Sequence, residues 1–526
     1  MNCSQMRLLD LPDEILLLIL KKLNNIDILY SMFGFGYQRL DNLLQENTFT
    51  NTLNFVITTS DGDVYSFPYY IITRFCKYIL PKIDQNIQYL ILDSLSMENI
   101  LQAGNYPSLT QLKIFNFNDK VFDDYFTVQS SFGHIFQKQI TDLILIFEKD
   151  FNQILSKQYT IDMYDYILKF FKNLKHLSIN GSSPHDFPPL TFRNLPFNVF
   201  FSSILFKLSI HVMTYEDCLA LLDGRLEQLN TFIVLINPCI SYSSNLYHMG
   251  SLPNLQCFSL KYYSEYNEYD HYVRFLFPRM FNLKELTLHM TIYKRNNLID
   301  GNDINNDILI HMPQLNQFNF HISTTMLRNN LIDHLSEDNA QQTLSKLRFK
   351  QLQCIIHCRC HLITCQIFSL PFIFDNLTCI GNKFPNIKFN NVKNLSIEDE
   401  IPFNHEFFIR LAWSFPLLKK LRILNLEPQL PSSSSSNEIY SLIKYSHLSS
   451  LNILDVHVDY IEQFLNDTKT CLPCLNELTV DYNQLQIATE NFTKDRTRFN
   501  CKNVEKLNIK QKNIELEDFY AYFPLL

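Results

Sequence analysis

At 526 residues the chain exceeds the roughly 250–300 residues that one hydrophobic core serves, so it calls for several domains or one elongated repeat. Hydrophobic residues at 46% and charged residues at 19% argue against a disordered chain. A net charge of −8, with Lys and Arg scattered singly, argues against the basic stripe of a nucleic-acid binder.

No window of about 18 apolar residues marks a membrane span. The first residues reach Asp13 and Glu14 too soon for a secretory leader. Thirteen cysteines without framework spacing fit reduced thiols in the cytoplasm or nucleus. Phe 44 and Tyr 27 against Trp 1 predict a core filled with rings, and Gly 10 leaves little room for phosphate-cradling loops.

After a tail over 1–7, "DLPDEILLLILKKL" predicts a first helix. Pro12 suits its first turn; Asp13 and Glu14 sit at its positive end, Lys21 and Lys22 at its negative end. Six successive aliphatic residues, Ile15 to Leu20, run all the way round a helix that turns about 100° per residue. Asn24 or Asn25 caps a second helix through Ile26, Ile28, Leu29 and Met32, which Gly34 and Gly36 break. A third, "RLDNLLQE", carries Leu40, Leu43 and Leu44 on one side. Three helices in about 40 residues do not fill an independent core. The first helix therefore needs a second surface, from the next domain or from a partner.

The order Leu11-Pro12-x-Glu14-Ile15-Leu16-x-x-Ile19-Leu20-x-x-Leu23-x-x-x-Asp27-x-Leu29 resembles an F-box over residues 8–46. That resemblance implies a three-helix module bound to the small adaptor of an SCF cullin-RING ubiquitin ligase. Leu11, Pro12, Ile15, Leu16, Ile19, Leu20, Leu23 and Leu29 would then meet the adaptor. Where F-boxes often carry a Cys, basic and Trp cluster, this chain has "GFGYQRL". The alternative is a helical cap on the following domain, within a scaffold that has no ligase role.

From 47 to 526 one phrase recurs, roughly Pro-x-Leu-x-x-Leu-x-Φ, with Φ aliphatic or aromatic. Its central residues are Leu112, Leu143, Leu177, Leu208, Phe232, Phe258, Leu286 and Phe318, then Leu395, Leu421, Leu451, Leu478 and Leu507, mostly 24 to 34 residues apart. Leu347 fills part of the gap, and 350–390 reads as an insertion. The alternation predicts short strands with one buried face. Helical stretches such as "TYEDCLALLDGRL", "NHEFFIRLAWSFP" and "DYIEQFLNDTKTCL" lie between them. Strand then helix at this period is similar to a leucine-rich repeat. The expected fold is therefore α/β: the short N-terminal F-box-like module, then an irregular leucine-rich-repeat-like solenoid, or horseshoe. "PSSSSSN", 431–437, reads as a flexible surface loop.

The densest candidate for chemistry is "LQCIIHCRCHLITC", with Cys354, His357, Cys358, Cys360, His361 and Cys365. Its spacing lacks the paired C-x2-C of a zinc site. As a strand it alternates Leu352, Cys354, Ile356, Cys358 and Cys360 onto one face, which reads as buried cysteines. No catalytic residue, metal ligand or cofactor is assigned, and no nucleotide-binding, hydrolase or metalloprotease motif is present.

In a horseshoe the residues alternating with the strand apolars face the concave surface. His176, Ser178, Lys207, His211, Glu285, His289, Gln317, His321, Lys420 and Arg422 are the target-binding candidates. The partners expected are the SCF adaptor, its cullin scaffold and a protein substrate, with neither nucleic acid nor membrane.

Overall fold

The computed structural model describes residues 8–59, 64–126, 130, 133–147, 157–181, 192, 196, 198–212, 214–236, 250–264, 275–293, 295, 297–327, 337–359, 361–429, 441–510 and 517–526. The Ser-rich stretch 431–437 and Cys360 lie outside them. The described residues form a mixed α/β fold with a sheet of 12 strands, a sheet of six, two two-stranded pairs and no closed barrel. Among them no helix is long and apolar enough to cross a membrane. The chain divides into two compact units, Met1–Tyr262 with Phe275–Glu285, and Tyr263–Arg274 with Leu286–Leu526.

The first unit opens with helices α1 (Asp13–Leu20), α2 (Asn25–Met32) and α3 (Gln38–Leu44). Asn24 caps α2, its side chain accepting from the Ile26 N–H at 2.9 Å. Beyond α2 the backbone turns through left-handed Gly34 (φ +80°) and Gly36 (φ +90°), a conformation glycine adopts without steric cost.

Strand β1 (Thr52–Asn54) follows, then a hairpin of β2 (Val56–Thr58) and β3 (Val64–Ser66). After these come β4 (Tyr89–Asp93), β5 (Gln111–Phe117), β6 (Asp142–Phe147), β7 (His176–Gly181), β8 (Lys207–Val212), β9 (Thr231–Ile236) and β10 (Cys257–Ser264). Strand β1 and strands β4 to β10 pair in sequence order, each parallel to the last.

Register carries the recurrent phrase into three dimensions. Leu90, Leu112, Leu143, Leu177, Leu208, Phe232 and Phe258 are direct partners from strand to strand, and all are buried. A second buried row starts from Leu92 and Ile114 and continues through Ile179 and Ile210 to Leu260. Each such side chain is worth about 1.5–3 kcal/mol of burial. The phrase "NIQYLIL" supplies β4, while Leu347 is no strand centre. It is buried in the turn after helix Glu337–Ser345.

The second unit has β11 (Glu285–Ile292), β12 (Gln317–Leu327), and the antiparallel strands β13 (Leu352–Arg359) and β14 (Leu362–Ser369), with β14 pairing both β12 and β13. Between Leu352 and Ser369 the pairing departs from the repeat, because β13 and β14 follow one another closely and pair antiparallel, where the parallel strands use long crossovers. The expected alternation in β13 holds only at its start. Leu352 and Cys354 are buried, but so is His357, while Cys358 is exposed.

Parallel pairing resumes through β15 (Asn376–Ile380), β16 (Asn394–Glu398), β17 (Lys420–Asn425), β19 (Ser450–Val456), β21 (Glu477–Val480) and β22 (Lys506–Ile509). The two-residue strands β18 (Ile443–Lys444) and β20 (Thr470–Cys471) pair with each other. The predicted helices Tyr215–Leu221, His405–Ser414 and Val458–Leu465 are present, capped by Thr214, Asn404 and His457.

Rings fill this unit's core: Phe389 stacks on Phe415 at 4.8 Å and Phe403 on Phe407 at 4.3 Å. Helix Glu517–Tyr522 contributes buried Phe519 and Tyr522. Buried Asn500 is a polar tie that no strand phrase announces. Its Nδ2 donates to the carbonyls of Phe464 (3.2 Å), Leu465 (3.1 Å) and Thr470 (2.7 Å), and its Oδ1 accepts from the Leu472 N–H (3.0 Å).

These rows and ties set the cost of three substitutions. Leu177→Ala, which opens a cavity between Leu143 and Leu208, costs about 3 kcal/mol in urea unfolding. Ser209→Ala, half-exposed on the neighbouring strand, stays within about 0.5 kcal/mol of the parent. Asn500→Ala costs about 2–4 kcal/mol, because it leaves buried backbone groups without partners.

Candidate functional site

Helix α1 answers its own excess of apolar surface by dividing it. Leu16 and Leu20, one turn apart, are buried in the first unit. Ile15 (43% exposed), Leu18 (62%), Ile19 (40%) and, just beyond the helix, Leu23 (51%) are left in solvent. Pro12 is exposed and Leu11 half-buried. Leu29 on α2 is buried.

Of the predicted adaptor contacts, Leu16, Leu20 and Leu29 therefore belong to the core, where a module this small has few other residues to fill it. Leu18, the most exposed of the helix, escaped the sequence reading because the motif spacing passes over it.

The start of α1 is held by a residue the motif did not assign. Arg39 on α3 donates from Nε to Asp13 Oδ1 (2.8 Å), from Nη1 to the Leu9 carbonyl (2.9 Å) and from Nη2 to the Leu11 carbonyl (2.7 Å). The ion pair is half in solvent and worth about 0–1 kcal/mol; its role is to fix direction. Arg74 ties α2 to the rest of the unit through the carbonyls of Tyr30 (3.0 Å) and Phe33 (2.9 Å), with its guanidinium over the Phe35 ring.

The second candidate surface is the solvent face of β4 to β9. The residue preceding each ladder leucine forms an in-register row of Tyr89, Gln111, Asp142, His176, Lys207 and Thr231. A depression of about 230 Å³ lies along it, with His176, Ser178 and Lys207 in its lining. His176 Nδ1 meets Asp142 Oδ1 across the strand pair, and the Thr141 hydroxyl donates to the other carboxylate oxygen at 2.6 Å. Burial pushes the Tyr89 phenol up, helped by the Asp142 charge. Burial also lowers Lys113, whose ammonium sits 4.4 Å from the Phe115 ring centre.

Glu285, Gln317, Lys420 and Arg422 are exposed. In the six-stranded sheet the end of the equivalent row pairs within itself at Glu477. Lys506, Ser450 and Asn508 all bond Glu477. Burial opposes its charge, but these contacts outweigh it and hold the carboxyl below its ordinary value.

Three predicted target contacts are corrected. His211, His289 and His321 are 4%, 4% and 2% exposed. Strand parity points them outward, but parity guarantees solvent only where nothing covers that face. In the second unit Phe374 lies 4.6 Å from the His289 ring, and Phe372 lies 5.4 Å from that of His321. Gln366 spends its NH₂ on the carbonyls of Thr378 (2.8 Å) and Cys379 (3.0 Å). Its Oε1 must therefore accept, which makes His321 Nε2, 3.0 Å away, the protonated nitrogen. Burial lowers the His321 pKa to about 4, against a smaller upward pull from Gln366.

Of the cysteine-histidine cluster, Cys354 and Cys365 lie with sulfurs 3.6 Å apart, both buried, and His361 is exposed. Among the described residues no group of three or more His, Cys, Asp or Glu is arranged to hold a metal ion. No protein-family model matches the chain, and no curated protein matches it.

The histidine yields a pH prediction. The unfolded chain titrates at about 6.5 and the folded one at about 4, so between these values the unfolded state binds the extra proton. Stability then falls as pH drops through that window, by up to about 3 kcal/mol. His321→Phe starts less stable at pH 7.5 because Gln366 Oε1 loses its donor. Its melting temperature should nevertheless change less than the parent's between pH 7.5 and 5.

Proposed function

We propose that the chain is the substrate-recognition subunit of an SCF-type cullin-RING ubiquitin ligase. The N-terminal helices dock the adaptor, and the repeat strands hold a protein target on a concave leucine-rich-repeat-like surface. The observation that carries this reading is the divided surface of α1: Ile15, Leu18, Ile19 and Leu23 stay exposed while Leu16 and Leu20 complete the core. A cluster of large aliphatic side chains on one helix is expensive to leave in water. The F-box-like spacing from Leu11 to Leu29 names the partner class. No residue of the chain performs bond chemistry in this scheme. It acts by proximity, raising the effective concentration of target lysines near the ligase's ubiquitin-carrying enzyme.

A scaffold whose helices only cap the repeats is the second reading. It is favoured by the ties of α2 to the body, including Asn25 Nδ2 to the Thr52 carbonyl at 3.3 Å. Those ties account for the buried faces of the helices and leave the outer face of α1 unexplained.

Co-purification with the SCF adaptor separates the two. The parent chain retains the adaptor, and Ile15→Asp/Ile19→Asp loses it while keeping a cooperative thermal unfolding transition, since both side chains lie on the exposed outer face of α1. A parent that fails to retain the adaptor sinks the ligase reading; a double variant that still retains it overturns the assignment of the contact to the outer face of α1.

A further inference from the structure

We infer that Cys354 and Cys365 are a redox-switched pair, joined reversibly by a disulfide that staples strand β13 to β14. Both lie in the second unit, and the inference does not rest on the ligase reading.

Strand register brings the two thiols together. Cys354 is the direct partner of Ile367, and Cys365 is that of Ile356, so the cysteines are diagonal neighbours on one face of the antiparallel pair. Both are buried, and their sulfurs lie 3.6 Å apart. A disulfide holds its sulfurs at about 2.05 Å, which leaves a gap of about 1.5 Å to close. Diagonal neighbours stand farther apart than direct partners, so a bridge here departs from relaxed disulfide geometry. Such bridges are the readily reduced ones, suited to switching and not to permanent bracing.

Burial shields the pair, and the sheet supplies the way in. Strand β13 ends the order of the 12-stranded sheet, with β14 as its neighbour. Side chains tie both its ends: Gln341 Nε2 donates to the Leu352 carbonyl at 2.8 Å, and Arg359 Nη1 to Glu398 Oε2 at 2.6 Å. Between those ties the strand is held in the sheet by its ladder to β14. Local parting of that ladder, an ordinary opening for an edge strand, admits a small disulfide oxidant such as oxidised glutathione.

The exchange then runs in two steps. The Cys354 thiolate attacks the oxidant, forming a mixed disulfide and releasing one glutathione thiolate. As the ladder recloses, the Cys365 thiolate attacks the Cys354 sulfur and releases the second. Two electrons and two thiol protons pass to the oxidant, leaving one protein disulfide and two molecules of reduced glutathione.

The bridge fixes more than one strand. Next to Cys365 on β14 stands Gln366, whose NH₂ holds the carbonyls of Thr378 and Cys379 on β15, the first strand of the six-stranded sheet. Oxidation therefore joins β13 covalently to the strand that ties into the second sheet, and the edge no longer opens. Reduction frees it.

The test uses the full chain, freed of reductant, incubated with oxidised glutathione, alkylated and digested with trypsin. Cleavage after Lys350, Arg359 and Lys383 puts Cys354 and Cys365 on different peptides, so the bridge appears as a linked pair lighter than its parts by two hydrogens. Fragmentation should place it between Cys354 and Cys365. It should persist in Cys358→Ser, vanish in Cys365→Ser and be reversed by excess reduced glutathione. Amide exchange across β13 should slow by about tenfold in the oxidised chain. A native chain that stays unlinked overturns the proposal, whether or not it carries glutathione. So does a link that maps to Cys358, Cys360 or Cys379, a link that forms only in urea, or β13 exchange that is equal in both states.

Discussion

Two parallel strands cannot be joined by a tight turn; the chain must travel back along the sheet before it can pair again. In this protein that requirement organises almost everything else. Each ladder step from β4 to β10, and again from β15 to β22, is fed by a long connection, and helices occupy many of those connections. The return path needs its own apolar side, which is why the phenylalanines of His405–Ser414 and the aromatic pairs around Phe389 and Phe403 accompany the strand leucines. Where the requirement lapses, at β13 and β14, the pairing turns antiparallel and the period is lost.

The ladder rows were legible in the sequence because their signal is repeated. A leucine two residues before another apolar residue says little once, but Leu112, Leu143, Leu177 and Leu208 recur at spacings a crossover can serve, and they meet in register. The cap of α2 was legible too, since Asn24 stands just ahead of an apolar-periodic run. Asn500 was not. Its four bonds reach 28 to 36 residues back along the chain, and nothing local distinguishes it from a surface asparagine.

The surfaces were legible only in part, and the failures have a common cause. Alternation says which side of a strand a residue leaves from, not whether that side meets water. His176 and Lys207 meet it; His289 and His321 meet the rings of Phe372 and Phe374. Helix α1 shows the same limit. Its spacing announced an all-round apolar cylinder, but Leu16 and Leu20 are the residues that turn inward, on a helix whose start is held by Arg39 through Asp13 and the carbonyls of Leu9 and Leu11.

The in-register ladder also divides the chain by how freely it can change. A slip of one residue in β7 would turn Leu177 and Ile179 out of the core, so the strand phrases admit almost no insertion. The connections do not share that rigidity. Doubling the length of one adds only about 0.6 kcal/mol of closure entropy, far less than a single lost leucine. Central positions spaced unevenly, from 24 to 34 residues, already sample that freedom while their strands stay paired. Such a frame lets evolution rewrite what its loops display, one connection at a time, at almost no thermodynamic penalty to the scaffold that presents them.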